Sequence, residues 1–271
     1  MKSLSEEQRE SYGRDGVVFP LRVLEVHEAQ QCLAGLERIE GERAGRLPPS
    51  LNAKPHLLIP WAWDVVHDAR ILDAVEDLLG PDILCWATSF IVKNARDGRY
   101  VAWHQDATYW GLSSPKAVTV WIALTPATKQ NGCVRFLPGT HRAARPHADT
   151  RDRMNLLGRR ESVAEAVDES RALDAELTPG EASLHDALIL HGSNANRTEG
   201  RRVGFSLRYI PACVRHTGPG RNSATLVRGR DLGHFDLEER PEGEFHPAAV
   251  ARHRDVFRRA MSTIFEGGEK R

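Results

Sequence analysis

The chain has 271 residues, with 37 lysines and arginines against 37 aspartates and glutamates, so its formal net charge is zero. That balance gives no reason to expect a nucleic-acid or polyanion partner, and no apolar run approaches the length of a membrane span. A hydrophobic content of 41% with 27% charged residues suits a soluble globular protein with a real core. All-β sandwiches and barrels of this length are often single domains. Residues 1–7 lack the apolar stretch of a secretory signal. Cys32, Cys85, Cys133 and Cys213 form no closely spaced pair, which reads as free thiols in a reducing cytoplasm.

Taken in order, Ser5 is a helix N-cap for a short helix to Tyr12, with Glu6 and Glu7 in its first turn and Gly13-Arg14-Asp15-Gly16 breaking it. Val17-Val18-Phe19 reads as a strand closed by Pro20. Residues 26–43 carry apolar side chains mostly at 3- and 4-residue spacing, the pattern of a helix. Residues 43–53 read as loop, and 56–63 as an apolar run of open structure. Residues 68–79 form a second helix stopped by Gly80-Pro81. After Pro81 the texture turns to strands at 83–93, 100–103, 117–125, 133–137, 182–185, 187–191 and 203–211, separated by turn chemistry. Residues 142–160 read as a charged, mobile loop, 161–173 as a helix, 213–245 as an irregular tail, and 246–264 as a closing amphipathic helix.

Segregated helices and strands predict a mostly β fold with flanking helices, and the strand count and spacing fit a double-sheet jelly roll. The expected organisation is one domain over 1–271: a helical part to about residue 80, a jelly-roll core over about 81–212, and the tail and closing helix.

The chemistry centres on Trp103-His104-Gln105-Asp106. On or at the end of a strand, residues i and i+2 point the same way, so His104 and Asp106 converge on one point. A second histidine would complete the 2-His-1-carboxylate face of a non-haem Fe(II) oxygenase. An HxD pair is a weak signal by itself in a chain with 12 histidines. The run Leu188-Ile189-Leu190-His191-Gly192-Ser193 would deliver His191, and glycine follows where backbone must crowd the site. His185 competes for the role; His191 is preferred because its strand looks more regular. His141 and His147 read as solvated. Oxygen activation at such an iron draws electrons from a co-substrate, and an arginine fork suits a carboxylate of 2-oxoglutarate. Spacing alone does not choose among Arg201, Arg202 and Arg208.

Three blocks resemble the phytanoyl-CoA dioxygenase family of Fe(II)/2-oxoglutarate oxygenases: residues 103–106, the stretch from Asn131-Gly132-Cys133 through Phe136-Leu137-Pro138-Gly139-Thr140-His141-Arg142, and His191-Gly192-Ser193-Asn194-Ala195-Asn196-Arg197-Thr198. The opening Tyr12-Gly13-Arg14-Asp15-Gly16-Val17-Val18 is similar as well, so the resemblance runs along most of residues 8–211. It implies a double-stranded β-helix (jelly-roll, cupin-like) core with iron held by His104, Asp106 and His191. It implies that Arg202 holds the 2-oxoglutarate C5 carboxylate, with Trp121, Ser193 and Lys93 as further co-substrate contacts. Because Asp106 is present, it implies hydroxylation with release of succinate and CO2 from 2-oxoglutarate and O2, and not halogenation.

The substrate is expected to be a small polar metabolite of amino-acid, aminophosphonate or secondary-metabolite type. Tyr109 and Trp110 are candidates to line its pocket, and Asn52 and Lys54 to meet its polar groups. The alternatives are a non-catalytic jelly-roll protein that binds metal and a small ligand, or a cupin-like enzyme that does not use 2-oxoglutarate. Oligomeric state is not legible.

Overall fold

The computed structural model describes residues 3–43, 45–158, 160–218 and 220–266; the side chains of Tyr109 and of residues 260–266 lie outside that description. Helix α1 (Glu6–Asp15) leads into strand β1 (Val17–Arg22), followed by α2 (Val26–Gly41), α3 (Pro49–Asn52), α4 (Pro60–Val66) and α5 (Ala69–Leu79). The strands after α5 are β2 (Ile83–Lys93), β3 (Val101–His104), β4 (Val118–Ala123), β5 (Val134–Phe136), β6 (His147–Asp149), β7 (Glu161–Val163), β8 (Leu173–Ala175), β9 (Glu181–Asp186), β10 (His191–Ser193), β11 (Arg202–Pro211), β12 (Ser223–Arg228) and β13 (Asp236–Leu237); α6 (Pro247–Glu266) closes the chain. A seven-stranded sheet in the order β1-β9-β4-β11-β2-β12-β13 opposes a four-stranded sheet, β3-β10-β5-β8, in a double-stranded β-helix. The hairpin β6-β7 stands apart as its own two-stranded sheet.

The period of two along the central strands separates core from site. In β4, Val118, Val120 and Ile122 point outward with Val203, Phe205, Leu207 and Tyr209 of β11. There they share one apolar core with Ala29, Leu36 and Ile39 of α2 and Ile71, Leu72 and Val75 of α5. The intervening residues Thr119 and Trp121 of β4, and Arg202, Ser206 and Arg208 of β11, point inward and line a cavity between the sheets. Burial on both faces explains why all six β4 residues are inaccessible, Thr119 and Trp121 on the cavity side included. The Tyr209 hydroxyl, buried on the helix side, donates to the Val66 carbonyl oxygen at 2.9 Å, which removes the cost of its burial.

Capping behaves as the sequence suggests at two helices. The Ser5 hydroxyl accepts from the Gln8 amide while the Gln8 side chain accepts from the Ser5 amide, and Asp68 caps α5 through the Arg70 amide. Helix α1 nevertheless continues through Gly13 and ends at Gly16, whose φ of 82° suits the left-handed cap.

Several expectations are corrected. Pro20 does not close β1, which continues to Arg22 as the edge strand beside β9, with a register shift between Val18 and Leu21; an edge tolerates the missing donor. Residues 49–52 are a short helix inside the expected loop, and the apolar run over 56–63 becomes a 3-10 turn and α4. The α-helix expected over 161–173 is replaced by β7, which pairs with β6, a 3-10 turn at Glu169–Arg171, and β8, which pairs with β5, so non-local pairing overrides a helical reading. Residues 187–190 form a turn, and the strand begins at His191. The tail over 213–245 contains β12, which extends the large sheet beside β2, and β13. No helix among the described residues is long and apolar enough to cross a membrane.

Candidate metal and co-substrate site

Strands β3 and β10 pair antiparallel with His104 directly opposite His191. A cross-strand pair places the two imidazoles side by side, with ring centroids 4.1 Å apart. The chain leaves β3 through Gln105 into a 3-10 turn that starts at Asp106, and this brings the carboxylate back beside the histidines. Ligand atoms of His104, Asp106 and His191 all lie within 4.8 Å of one another, and the three residues are buried. His104 Nε2 and Asp106 Oδ1 are 3.6 Å apart.

The groups behind this triad fix which atoms face the cavity. His104 Nδ1 donates to the Ala102 carbonyl at 2.9 Å and His191 Nδ1 to the Ile189 carbonyl at 3.0 Å. Each carbonyl sets the tautomer and leaves Nε2 as the available lone pair. Asp106 Oδ2 accepts from the Thr119 hydroxyl at 3.0 Å and faces Arg208 Nε at 3.8 Å, which leaves Oδ1 for the metal. Burial pushes the Asp106 carboxyl upward, but His104, Arg208 and His191 outweigh it and hold it ionised, well below the usual range. Burial first, then the neighbouring His104, draws His191 down to about 4, the neutral form a metal requires. Two imidazoles held by their Nδ1 atoms and one carboxylate on one side of a cavity fit a divalent iron with open positions opposite. Thr119→Val is expected to lower iron affinity or turnover about 10–100-fold, the usual effect of removing an outer hydrogen bond to a ligand; metal analysis after dialysis and succinate formation would report it.

At the other end of the same cavity lies Arg202. It is 1% exposed, yet none of its three guanidinium nitrogens has a hydrogen-bond partner among the described residues. It stacks over Trp121 with 5.1 Å from Cζ to the ring, and burial pulls its pKa down to about 10. A buried cation left this bare implies an anionic ligand. Gly204, between Arg202 and Ser206 on the inward face, makes room for Trp121: an added Cβ would fall 2.0 Å from Trp121 Cζ2. Gly204→Ala is therefore expected to destabilise the fold by about 1–3 kcal/mol by overpacking and to weaken co-substrate binding; denaturant midpoints and 2-oxoglutarate titration would check both.

The cavity is about 130 Å³ and its walls also include Ile91, Val101, Val134, Leu156 and Leu157. Ser193, Trp121 and His185 line it as well. Lys93 does not. Its ammonium stands behind Ser193, donating to Ser193 Oγ at 2.6 Å, to the Ser193 carbonyl at 3.3 Å and to the Asn194 carbonyl. Burial first, then Arg202, lowers it to about 7. Arg201, by contrast, faces Glu40 at 2.8 Å and Asn94 at 3.2 Å near the surface.

Three expected pocket residues lie elsewhere. Both polar atoms of the Asn52 amide are used by the Phe90 backbone, at 2.7 and 2.8 Å. Lys54 is buried against Glu238 at 2.5 Å and the Ser223 carbonyl at 2.7 Å. Trp110 packs on Trp86, with centroids 5.0 Å apart. None of the three lines the metal cavity. The Tyr109 side chain falls outside the described residues. His147, expected to be solvated, is half-buried and accepts from the Gln105 amide at 3.0 Å, so it braces the link between His104 and Asp106. Gln105 itself donates to the Ala143 and Leu188 carbonyls and accepts from the Arg145 amide, tying that loop to both neighbouring segments. The residue that sequence reasoning missed, Thr119, sits on a strand whose inward parity could have found it, and His185, weighed there as a ligand, lines the cavity without joining the triad.

Comparison with known proteins agrees with this geometry. The family profile described as phytanoyl-CoA dioxygenase (PhyH) matches residues 12–204. A probable phytanoyl-CoA dioxygenase of Caenorhabditis elegans is 27% identical over 147 residues, covering 51% of this chain and 47% of that protein, so the match spans about half its length. An ectoine dioxygenase of Bordetella parapertussis is 25% identical over 232 residues, covering 76% of this chain and 75% of that protein. Among solved structures, the non-haem monooxygenase ThoJ in its apo form superposes with a TM-score of 0.86 at 38% identity, covering 97% of this chain and 99% of that one. With the matched segment spanning both histidines, the aspartate and the buried arginine, the chain belongs to the phytanoyl-CoA dioxygenase family of Fe(II)/2-oxoglutarate oxygenases.

Proposed function

We propose that the protein is an Fe(II)- and 2-oxoglutarate-dependent dioxygenase that hydroxylates an unactivated C–H bond of a small polar metabolite. The observation that carries this reading is Arg202: a buried guanidinium with three unpartnered nitrogens, in the same cavity as His104, Asp106 and His191. A protein that only held a metal would have no use for that buried charge.

In this reading His104 and His191 through Nε2, and Asp106 through Oδ1, hold the iron. Iron with 2-oxoglutarate supplies the oxidising power: O2 is consumed, the oxo-acid loses CO2 to become succinate, and one oxygen atom enters the substrate. The remaining work belongs to the chain. The Ala102 and Ile189 carbonyls orient the imidazoles, and Thr119 holds the carboxylate so that one oxygen stays free. Arg202, on its Trp121 platform, binds the distal carboxylate of the co-substrate by charge-assisted bonds. Lys93 fixes Ser193 at the cavity wall. Leu156, Leu157, Val101 and Val134 keep the cavity dry, which strengthens every charge interaction within it.

The direct test is succinate formation by Fe(II)-reconstituted protein given 2-oxoglutarate and air. Succinate that requires both iron and O2, and rises when substrate is added, is the expected result. Binding of 2-oxoglutarate without conversion would mean a binding protein, and no binding at all would mean a metal enzyme of another kind.

A further inference from the structure

The inward face of the large sheet is ordered in cross-strand rows. Arg202 and Lys93 are paired in register at one end. At the other end, His185 of β9 lies opposite Thr119 of β4, and Thr119 lies opposite Arg208 of β11. Thr119, the middle of this row, is the residue that holds Asp106, so the row lies at the level of the metal. Arg208 of that row lies six positions along β11 from Arg202, about 20 Å of extended strand between the two Cα atoms.

The outer members of that row are under-used. His185 is 2% exposed and lines the cavity, its ring centroid 4.9 Å from that of His191, yet neither ring nitrogen has a partner among the described residues. Arg208 donates from Nη1 to Ser89 Oγ at 3.1 Å and approaches Asp106 through Nε at 3.8 Å. Its Nη2 has no partner among the described residues, and its side chain, 18% exposed, lines the same cavity as Arg202. Packing explains neither the bare imidazole nor the second guanidinium.

Charge points the same way. The cavity lining carries two guanidinium groups, Arg202 and Arg208, against one carboxylate, Asp106. A divalent iron and a dianionic 2-oxoglutarate cancel each other, which leaves one positive charge uncompensated in a site of low dielectric. Such a charge is costly unless paired.

Resting on the iron and 2-oxoglutarate reading above, we infer that the substrate carries a single carboxylate, held by Arg208 with His185 beside it, and that this pair selects monoanionic acids over their neutral counterparts. Arg208 would bind the carboxylate through the edge that faces the cavity, and His185 would supply the neighbouring hydrogen bond. The carbon to be oxidised is thereby tethered near the metal by a group that takes no part in the reaction.

The experiment uses full-length protein loaded anaerobically with saturating Fe(II) and 2-oxoglutarate. It follows the visible band of that complex while hexanoate or phenylacetate is added, and then their amides. Wild-type protein is expected to respond to both acids at least tenfold more tightly than to hexanamide and phenylacetamide. Arg208→Gln should remove that preference and Arg208→Lys should restore part of it, each compared at equal iron content and saturating 2-oxoglutarate. Equal responses to acid and amide, no response to either acid, or an Arg208→Gln protein that keeps the preference would each overturn the inference. Failure of the underlying reading looks different: the band would be missing before any acid is added.

Discussion

Replacing Asp106 by alanine is expected to cut iron retention and 2-oxoglutarate turnover by more than about a hundredfold. Loss of outer hydrogen bonds to metal ligands costs about 10–100-fold, and Asp106 is the proposed ligand itself and the only anionic residue of the triad. Its removal also strips Thr119 and Arg208 of the oxygen they hold, so the cavity is left with two guanidinium groups and no carboxylate. Metal content after dialysis, read beside succinate formation, separates lost iron from iron that remains but no longer works. Turnover unchanged by Asp106→Ala would mean that the metal centre lies elsewhere.

Arg202→Met should move two measurements in opposite directions. Truncating one partner of a buried, hydrogen-bonded charge pair costs about 2–5 kcal/mol, which is about 30-fold to a few thousandfold in affinity for 2-oxoglutarate. Iron binding should be spared, since Arg202 touches none of the three ligands. The metal-free protein should become more stable, because a buried guanidinium with no partner is replaced by an apolar side chain of similar length. Thermal unfolding with and without 2-oxoglutarate would show a raised baseline and the loss of the ligand-induced increase. If Arg201→Ala has these effects instead, the assignment of the co-substrate arginine fails; its salt bridge to Glu40 gives no reason to expect so.

Much of this site was legible because its signals are local. His104 and Asp106 are two residues apart, and His191 is followed by the glycine that permits close approach: a Cβ on Gly192 would come within 2.9 Å of the Val101 carbonyl oxygen. Strand regularity, however, does not select His191. Its strand is short and starts at the ligand, whereas His185 lies on the longer, more regular strand. What decides between them is pairing: His191 is opposite His104, and His185 is opposite Thr119. Register between distant strands is not written in either segment alone.

Parity was an unused signal. A strand over 203–211 that starts from an inward Arg202 also turns Ser206 and Arg208 inward and leaves Gly204 beneath Trp121. Asn52 and Lys54 misled for the opposite reason. Polar residues in a loop look available, but here the fold spends them on a strand backbone and a buried ion pair. The apparent helix over 161–173 failed because its partners, His147 to Asp149 and Val134 to Phe136, are remote in sequence.

Whether one cavity holds both a facial iron site and a 2-oxoglutarate site can be tested before any substrate is known. The protein is reconstituted with Fe(II) under argon, its iron content is measured, and 2-oxoglutarate is added while the visible spectrum is followed. A weak charge-transfer band that saturates with 2-oxoglutarate, and is weakened in Arg202→Met, is the result predicted for oxo-acid chelation at an open facial iron. Iron fully loaded with no such band would contradict the account.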